Sequence, residues 1–347
     1  MKYLVKMTPI GQYSFGNEQG FKYPGETETG KESYLVRSEE IPEQTTILGL
    51  LRYLVLQSQG FLKTDFHYTP EQQKKMEKYI GARSFSFQTK EIQDFGYIQK
   101  ISPVFLVNEK EEILIRNPYH NKASKKGYEP IQMEEEIIET SAGKIIMPKI
   151  GEYNAKNGYA NGYYNLTTGD IEQDLFKTYL MSGNRKNDRK DSDKECYFKR
   201  ELKTLKEGYS FAVFADVTEL PANTIAYMGK KKSVFLVESK EVQNINLKEM
   251  VEACFKSSND VWYYALSDLM IEQSVKYDTF CIVEQKYQRN LETVYKEQNH
   301  LQKLKKSEIR YNLIQRGSVF YQNCNLNLSN PNHTKIGYNK IAKLGGN

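Results

Sequence analysis

The chain has 347 residues, enough to bury a substantial core and to form two domains of ordinary size. Lys and Arg total 49 against 44 Asp and Glu, and the resulting charge of +5 is too mild to mark a nucleic-acid binder by itself, so local clustering must carry any such argument. No run approaches the ~18 apolar residues of a membrane span, the N-terminus lacks a signal-peptide pattern, and Cys196, Cys254, Cys281 and Cys324 stand far apart, as reduced and mostly packed thiols of a cytoplasmic protein do.

Residues 2–10 alternate as a strand, with Tyr3, Val5 and Met7 on one side and Leu4, Lys6 and Thr8 on the other. Glycines then punctuate 11–33, which reads as a long surface loop or loose hairpin, before the short apolar strand 34–36 delivers Arg37 and Ser38 to a helix. In that helix Ile47, Leu50, Leu51, Leu54 and Val55 share one face, which predicts burial. Pro42 favours a non-helical lead-in and Thr45 is the expected N-cap, with Thr45, Gly49 and Arg52 on the outer face and Tyr53 beside them. Free N–H groups at such a helix start can hold phosphate, although most buried helices with one outward Arg are purely structural.

A polar helix is expected to begin near Thr69 with Pro70 in its first turn, followed by a strand over 83–87 and a hairpin pairing 96–107 with 113–116 across a charged turn. Residues 117–170 read as an irregular insertion with short strands, and 171–181 as an amphipathic helix closed by Gly183. The segment 183–194 has no apolar residue, so it is either a solvated loop or a basic finger presenting Arg185, Lys186, Arg189 and Lys190 to phosphates. Strands follow at 197–205, 209–217, 225–228 and 233–238; between the last two, Gly229 with Lys230, Lys231 and Lys232 forms either an anion-holding turn or an edge guarded against aggregation. A helix over 247–255 with Met250, Val251 and Cys254 inward, strands at 261–270 and 279–284, and a charged helix over 290–305 complete the reading.

Several stretches taken together are similar to one family. An Arg-Ser pair, a short loop, Pro, Thr-Thr-Ile, Gly and Leu-Leu-Arg, here Arg37 to Arg52, resemble the first helix of the RAMP proteins of CRISPR effector complexes, in the group that holds the 5′ handle of the guide RNA. Gly229 resembles that group's glycine loop before a Phe-rich strand, with Lys230 where a second glycine often stands; Gly317-Ser318-Val319 with Phe320 resembles its late strand, and Gly337-Tyr338-Asn339 its closing turn. Arg185 alone matches the group's basic loop. The resemblance, nearest to the Cmr subunits of type III-B complexes, implies an α+β chain of two ferredoxin-like (RRM-like) domains with long inserted loops, divided as 1–182 and 183–347.

The same resemblance implies a non-catalytic scaffold with no cofactor or metal, partnered by the guide RNA (crRNA) handle, the large polymerase/cyclase-like subunit and the backbone RAMP subunits, and touching target RNA only indirectly. The RNA site it implies comprises Arg37, Ser38, Thr45, Thr46, Gly49 and Arg52, then Arg185, Lys186 and Gly229 to Lys232, then Gly317, Ser318, Gly337, Tyr338, Asn339 and Lys340. The residues themselves offer no His-x-x-x-His, Gly-x-Ser-x-Gly or phosphate-loop signature. Metal-independent RNA cleavage stays open as the alternative, since His67, His120, His300 and His333 with Tyr and Lys supply the needed acid, base and cation types. The 26 tyrosines can stack on bases, but they also fill sheet faces.

Overall fold

A computed structural model describes residues 1–23, 33–63, 68–150, 160–186, 192–229, 233–243, 245–255, 260–271, 280–295, 302–322, 326 and 328–346. The architecture is α+β and dominated by strands. Its centre is a nine-stranded antiparallel sheet in the order Ile171–Glu172, Tyr163–Asn165, Ile113–Arg116, Phe105–Asn108, Tyr209–Val217, Lys2–Pro9, Ser233–Glu241 and Asn223–Met228, with Ile98–Ile101 also pairing to Tyr209–Val217. The expected alternation along Lys2–Pro9 is real. Tyr3, Val5 and Met7 join one core with the first helix, and Leu4 joins a second core on the other face.

That first helix, α1 (Gln44–Ser58), lays Ile47, Leu50, Leu51, Leu54 and Val55 on the sheet, all buried as the spacing predicts. The next, α2 (Pro70–Ile80), has the N-cap and proline expected of it: the Thr69 hydroxyl accepts from the Gln72 N–H, and the Gln72 side chain accepts from the Thr69 N–H. On the other face α3 (Leu247–Cys254) packs Leu247 and Val251 beside a four-stranded sheet that includes Trp262–Ala265 and Val319–Tyr321. A short α4 (Pro331–Lys335) follows near the end.

Strands on either side of residues 182 and 183 share the central sheet, because Lys2–Pro9 pairs with both Tyr209–Val217 and Ser233–Glu241. Several expectations are corrected. Residues 171–181 are not a helix. Asp174 takes a left-handed φ of 55°, and Phe176–Lys186, which contains Gly183, pairs with Ser192–Leu205, which in turn runs parallel to Ser33–Glu39. The 3.6-residue spacing there was met by chance, since the following strand, paired antiparallel as in a hairpin, supplies the backbone hydrogen bonds.

The charged stretch 290–305 likewise falls in two paired strands, Leu291–Tyr295 against Gln302–Lys306, and Thr293, Val294 and Tyr295 favour a pleated backbone. Residues 83–87 form no ladder; Phe85 and Phe87 alternate because both rings are buried against His333 and Tyr338. Of the two readings of 11–33, the hairpin is the one found, since Phe15–Tyr23 pairs antiparallel with Ser33–Glu39. Cys254 is exposed on α3 rather than inward. Among the described residues no helix is long and apolar enough to cross a membrane.

The two faces of α1 lead to opposite expectations for substitution. Leu51 is fully buried, so Leu51→Ala should lower the unfolding free energy by about 2–5 kcal/mol in denaturant titration. Gly49 is exposed, and a Cβ there would meet nothing within 4 Å, so Gly49→Ala should raise it by up to about 1 kcal/mol. A loss at Gly49 would show that this face is covered.

Candidate functional site

The loop between Ser33–Glu39 and α1 stands over a cluster of buried charges. Glu43 occupies the N-cap position expected of Thr45, yet its side chain caps nothing. Its carboxylate instead accepts from the Lys286 ammonium and from the Tyr338 hydroxyl at 3.0 Å. Lys286 also reaches Asp268 at 2.6 Å, and Asp268 accepts from the Arg316 backbone N–H at 2.9 Å and from its guanidinium at 3.0 and 3.3 Å. Burial opposes the charges of Asp268, Lys286 and Arg316. For Asp268 the Arg316 and Lys286 cations outweigh it and hold the carboxyl well below its ordinary range; for Lys286 the Asp268, Glu43 and Glu39 carboxylates outweigh it and keep the ammonium protonated well above its ordinary range.

In front of this cluster opens a cleft of about 370 Å³, lined by Arg37 to Ile41, Arg116, Tyr163, Glu201, Lys203, Glu284, Lys286, Gln315 and Arg316. Arg37 lies 3.9 Å from Glu201 and Arg116 3.8 Å from Glu40, so the rim alternates cation and carboxylate. Burial raises the Glu39 carboxyl, with Lys286 pulling the other way. A mixed rim of this kind offers guanidinium and ammonium donors to phosphate and carboxylate acceptors to hydroxyl or base amino groups. Neither Tyr163 nor Lys286 is set to exchange protons near neutrality, because burial lifts the Tyr163 hydroxyl and the surrounding carboxylates lift Lys286. Among the described residues no group of three or more His, Cys, Asp and Glu is arranged to hold a metal ion.

The segments singled out in the sequence converge here only in part. Arg37 and Ser38 line the cleft, with the buried Ser38 hydroxyl accepting from the Phe15 N–H at 3.0 Å. Gly229, at φ 72°, packs on Ser14 and Phe15, where a Cβ would fall 2.5 Å from the Ser14 carbonyl; this brings its turn against the strand that carries that Phe15 bond. Lys230, Lys231 and Lys232 lie outside the described residues, as do His67 and His300. Arg185 and Lys186 end the strand Phe176–Lys186. Thr45 and Thr46 are half-buried in the first turn of α1.

Other members are internal. The Gly337 carbonyl accepts from the Gln44 side-chain amide at 3.0 Å, and a Cβ at Gly337 would collide with that amide. Tyr338 and Ser318 are fully buried; Asn339 is buried too, its side chain accepting from the Met270 N–H at 2.7 Å, and Gly317 is pressed against Tyr119. These residues shape the floor and offer no side-chain surface to a ligand. Arg52 is turned away from any phosphate on α1: it donates to the Arg83 carbonyl at 2.8 Å above the Phe95 ring, and burial draws it down to about 10. Gly49 is open, and Lys340 lines a different cleft.

Sequence reasoning missed Arg116, Tyr163, Lys203 and the set Glu43, Asp268, Lys286. The available signal was a charge inside an apolar frame, as in Ala265-Leu266-Ser267-Asp268-Leu269, which marks a paired buried group. The two described histidines have structural places. Burial draws His120 down to about 3 beside Tyr128 and Trp262, and His333 sits within hydrogen-bond reach of the Phe87 carbonyl at 3.1 Å.

Removing one member of the ion cluster strands the others. Lys286→Met should cost about 3–5 kcal/mol in denaturant unfolding, because Glu43 loses a cation partner and Asp268 keeps only Arg316. The depressed Asp268 carboxyl stabilises the fold above its unfolded value of 3.8 and ceases to do so as pH falls through the folded value, so the midpoint should drop with acid below about pH 4, and less steeply in Asp268→Asn. An identical acid slope in the two proteins would assign acid unfolding to other groups.

A family model for the CRISPR-associated protein Cas_Cmr3 matches residues 6–342, nearly the whole chain. The sequence matches no curated protein. Among solved structures, one chain of a type III-B Cmr-beta complex bound to cognate target RNA and AMPPnP shares 12% identity at a TM-score of 0.49, over 98% of this chain and 96% of that one. A chain of the same kind of complex bound to cognate target RNA shares 14% at a TM-score of 0.49, over 99% and 98%. With nearly every described strand and the charged cleft inside the matched span, the chain belongs to the CRISPR-associated Cas_Cmr3 family.

Proposed function

We propose that the protein is a non-catalytic subunit that grips the 5′ handle of the guide RNA at the cleft over the Glu43 and Lys286 cluster. The observation that carries this reading is the meeting of Arg37, Ser38, Arg116 and Lys203 at one concave mouth, with the Gly229 turn packed on the neighbouring strand. Phosphates of a single strand would engage Arg37, Arg116 and Lys203, replacing Glu201 at Arg37 and Glu40 at Arg116. Glu40, Glu201 and Glu284 would accept from base amino groups or from 2′-hydroxyls, the second of which DNA lacks. Lys230 to Lys232 would follow the strand beyond Gly229, and the outer face of α1 with Gly49 and Tyr53 would dock the large subunit of the complex.

The alternative, a metal-independent endoribonuclease on the same fold, is disfavoured by the placement of the described histidines and by the raised Tyr163 and Lys286. The raised Glu39 carboxyl is the one feature that favours it, as a candidate base near Arg37. Incubation of the isolated protein with repeat RNA in the presence of a chelator separates the two. The scaffold reading expects intact RNA, and cleavage lost in Glu39→Gln would install the nuclease.

For binding, Arg37→Gln with Lys203→Gln should weaken guide-RNA affinity and reduce the slope of log affinity against log salt by about 1.4, at roughly 0.7 for each phosphate contact. Melting of the variant should be close to that of the parent, because both side chains stand on the rim. An unchanged salt slope would move the RNA to another face. Gly49→Leu should leave melting intact and reduce recovery of the large subunit in a pull-down; normal recovery would free α1 from that role.

A further inference from the structure

A second cleft, of about 360 Å³, shares no lining residue with the first. Its walls come from the end of the central sheet (Lys2, Lys100 and Asp216), from the start of α3 (Asn246, Lys248 and Glu249) and from Lys340, over an apolar floor that includes Phe214 and Leu266. Four ammonium groups therefore face two carboxylates. The carboxylates are already engaged: Glu249 accepts from the Asn246 amide at 2.7 Å, and Asp216 lies 3.4 Å from the Met1 amino group. The start of α3 is also satisfied, since the Asn246 side chain accepts from the Lys248 N–H at 3.2 Å. Any attraction for an anion thus rests on the lysines.

Lys340 is the member with the least freedom. Its carbonyl accepts from the Leu266 N–H at 3.0 Å and its N–H donates to the Ser267 hydroxyl at 2.9 Å, so the backbone fixes where the side chain starts. The side chain is half-buried, and among the described residues its ammonium has no carboxylate within ion-pair distance. Burial, then the charges of Lys100 and Lys248, draw it down to about 8. Among the described residues Lys248 has an ion pair with Glu252 at 3.6 Å and none with a carboxylate of the cleft. A fold that gathers like charges around a partly desolvated ammonium is less stable for it, unless an anion occupies the space between them.

We propose that this cleft is a phosphate-binding site, in which Lys100, Lys248 and Lys340 take a phosphate ester and the apolar floor carries the group attached to it. The phosphate is that of a ribonucleotide, either free or within an RNA strand. The site is separate from the guide-handle cleft and does not depend on it. Bound phosphate favours the charged form of Lys340, so affinity falls as pH rises through the Lys340 titration; the groups that face it are Lys2, Lys100, Asp216, Lys248 and Glu249.

Thermal melting of the full chain with inorganic pyrophosphate, adenosine monophosphate or a short oligoribonucleotide tests this. Pyrophosphate should raise the midpoint at neutral pH and raise it less on the alkaline side of the Lys340 titration. Lys100→Gln with Lys340→Gln should melt no lower than the parent without ligand, and should lose roughly tenfold or more in pyrophosphate affinity by calorimetry. Arg37→Gln with Lys203→Gln should keep the full pyrophosphate response. A larger response to the oligoribonucleotide than to the mononucleotide identifies an RNA strand as occupant, and the reverse order identifies a free nucleotide; both support the site. No response in the parent, or an equal response in the Lys100 and Lys340 variant, overturns it.

Discussion

The Glu43 carboxylate, shared between Lys286 and Tyr338, is the interaction on which the arrangement of this molecule turns. It joins the start of α1 to two segments more than two hundred residues away, and through Lys286 and Asp268 it fixes Arg316 as well. Two carboxylates and two cations leave the set neutral, which is the condition under which charges tolerate such burial. A hydrophobic cluster of equal volume would hold the segments together with comparable strength, but would not dictate one angle between them. Directional hydrogen bonds to a shared carboxylate do, and the mouth of the cleft inherits that geometry. The missing cap at α1 follows from the same demand, because the Glu43 side chain cannot serve both the helix and Lys286.

Local structure was legible in the sequence where local forces decide it. The apolar face of α1, the capping box of α2, the strand Tyr209–Val217 and the hairpin joining Phe105–Asn108 to Ile113–Arg116 all follow from period, cap or turn chemistry within a few residues. The failures share a cause. Phe176–Lys186 and Leu291–Tyr295 carry patterns that fit a helix, but each pairs antiparallel with the strand that follows it, a partner that the apolar period of one segment does not reveal. The closing of one sheet from Lys2–Pro9, Tyr209–Val217 and Ser233–Glu241 is likewise invisible in any short window.

For the site, the sequence pointed to the right neighbourhoods and misread several of their residues. Gly337, Tyr338 and Ser318 stand in motifs that resemble those of RNA-holding proteins, and their place in this chain is to build the wall from behind. Arg52 has a guanidinium suited to phosphate, but the Arg83 carbonyl already accepts from it. The residues that do face the cleft from outside the motifs, Arg116 and Lys203, come from strands whose neighbours only the fold could name. A motif states which backbone shape is required; side-chain exposure is settled by what packs against it.

The pairing of Lys2–Pro9 bears on how the chain is made. Lys2 faces Asp216 and Tyr3 faces Glu241, so this strand is synthesised more than two hundred residues ahead of both its partners. At about 5–20 residues per second on the ribosome, it waits for roughly ten to forty seconds with apolar side chains on both faces. Val5 and Met7 belong to one core and Leu4 to the other, so neither face can be left in water for that time without inviting a foreign strand. The α1 segment, complete soon after it, is the first cover to arrive, and it can shield only one side. The other face gains its last strand partner only once the chain up to residue 241 has been made, so the sheet that organises the molecule closes late in synthesis.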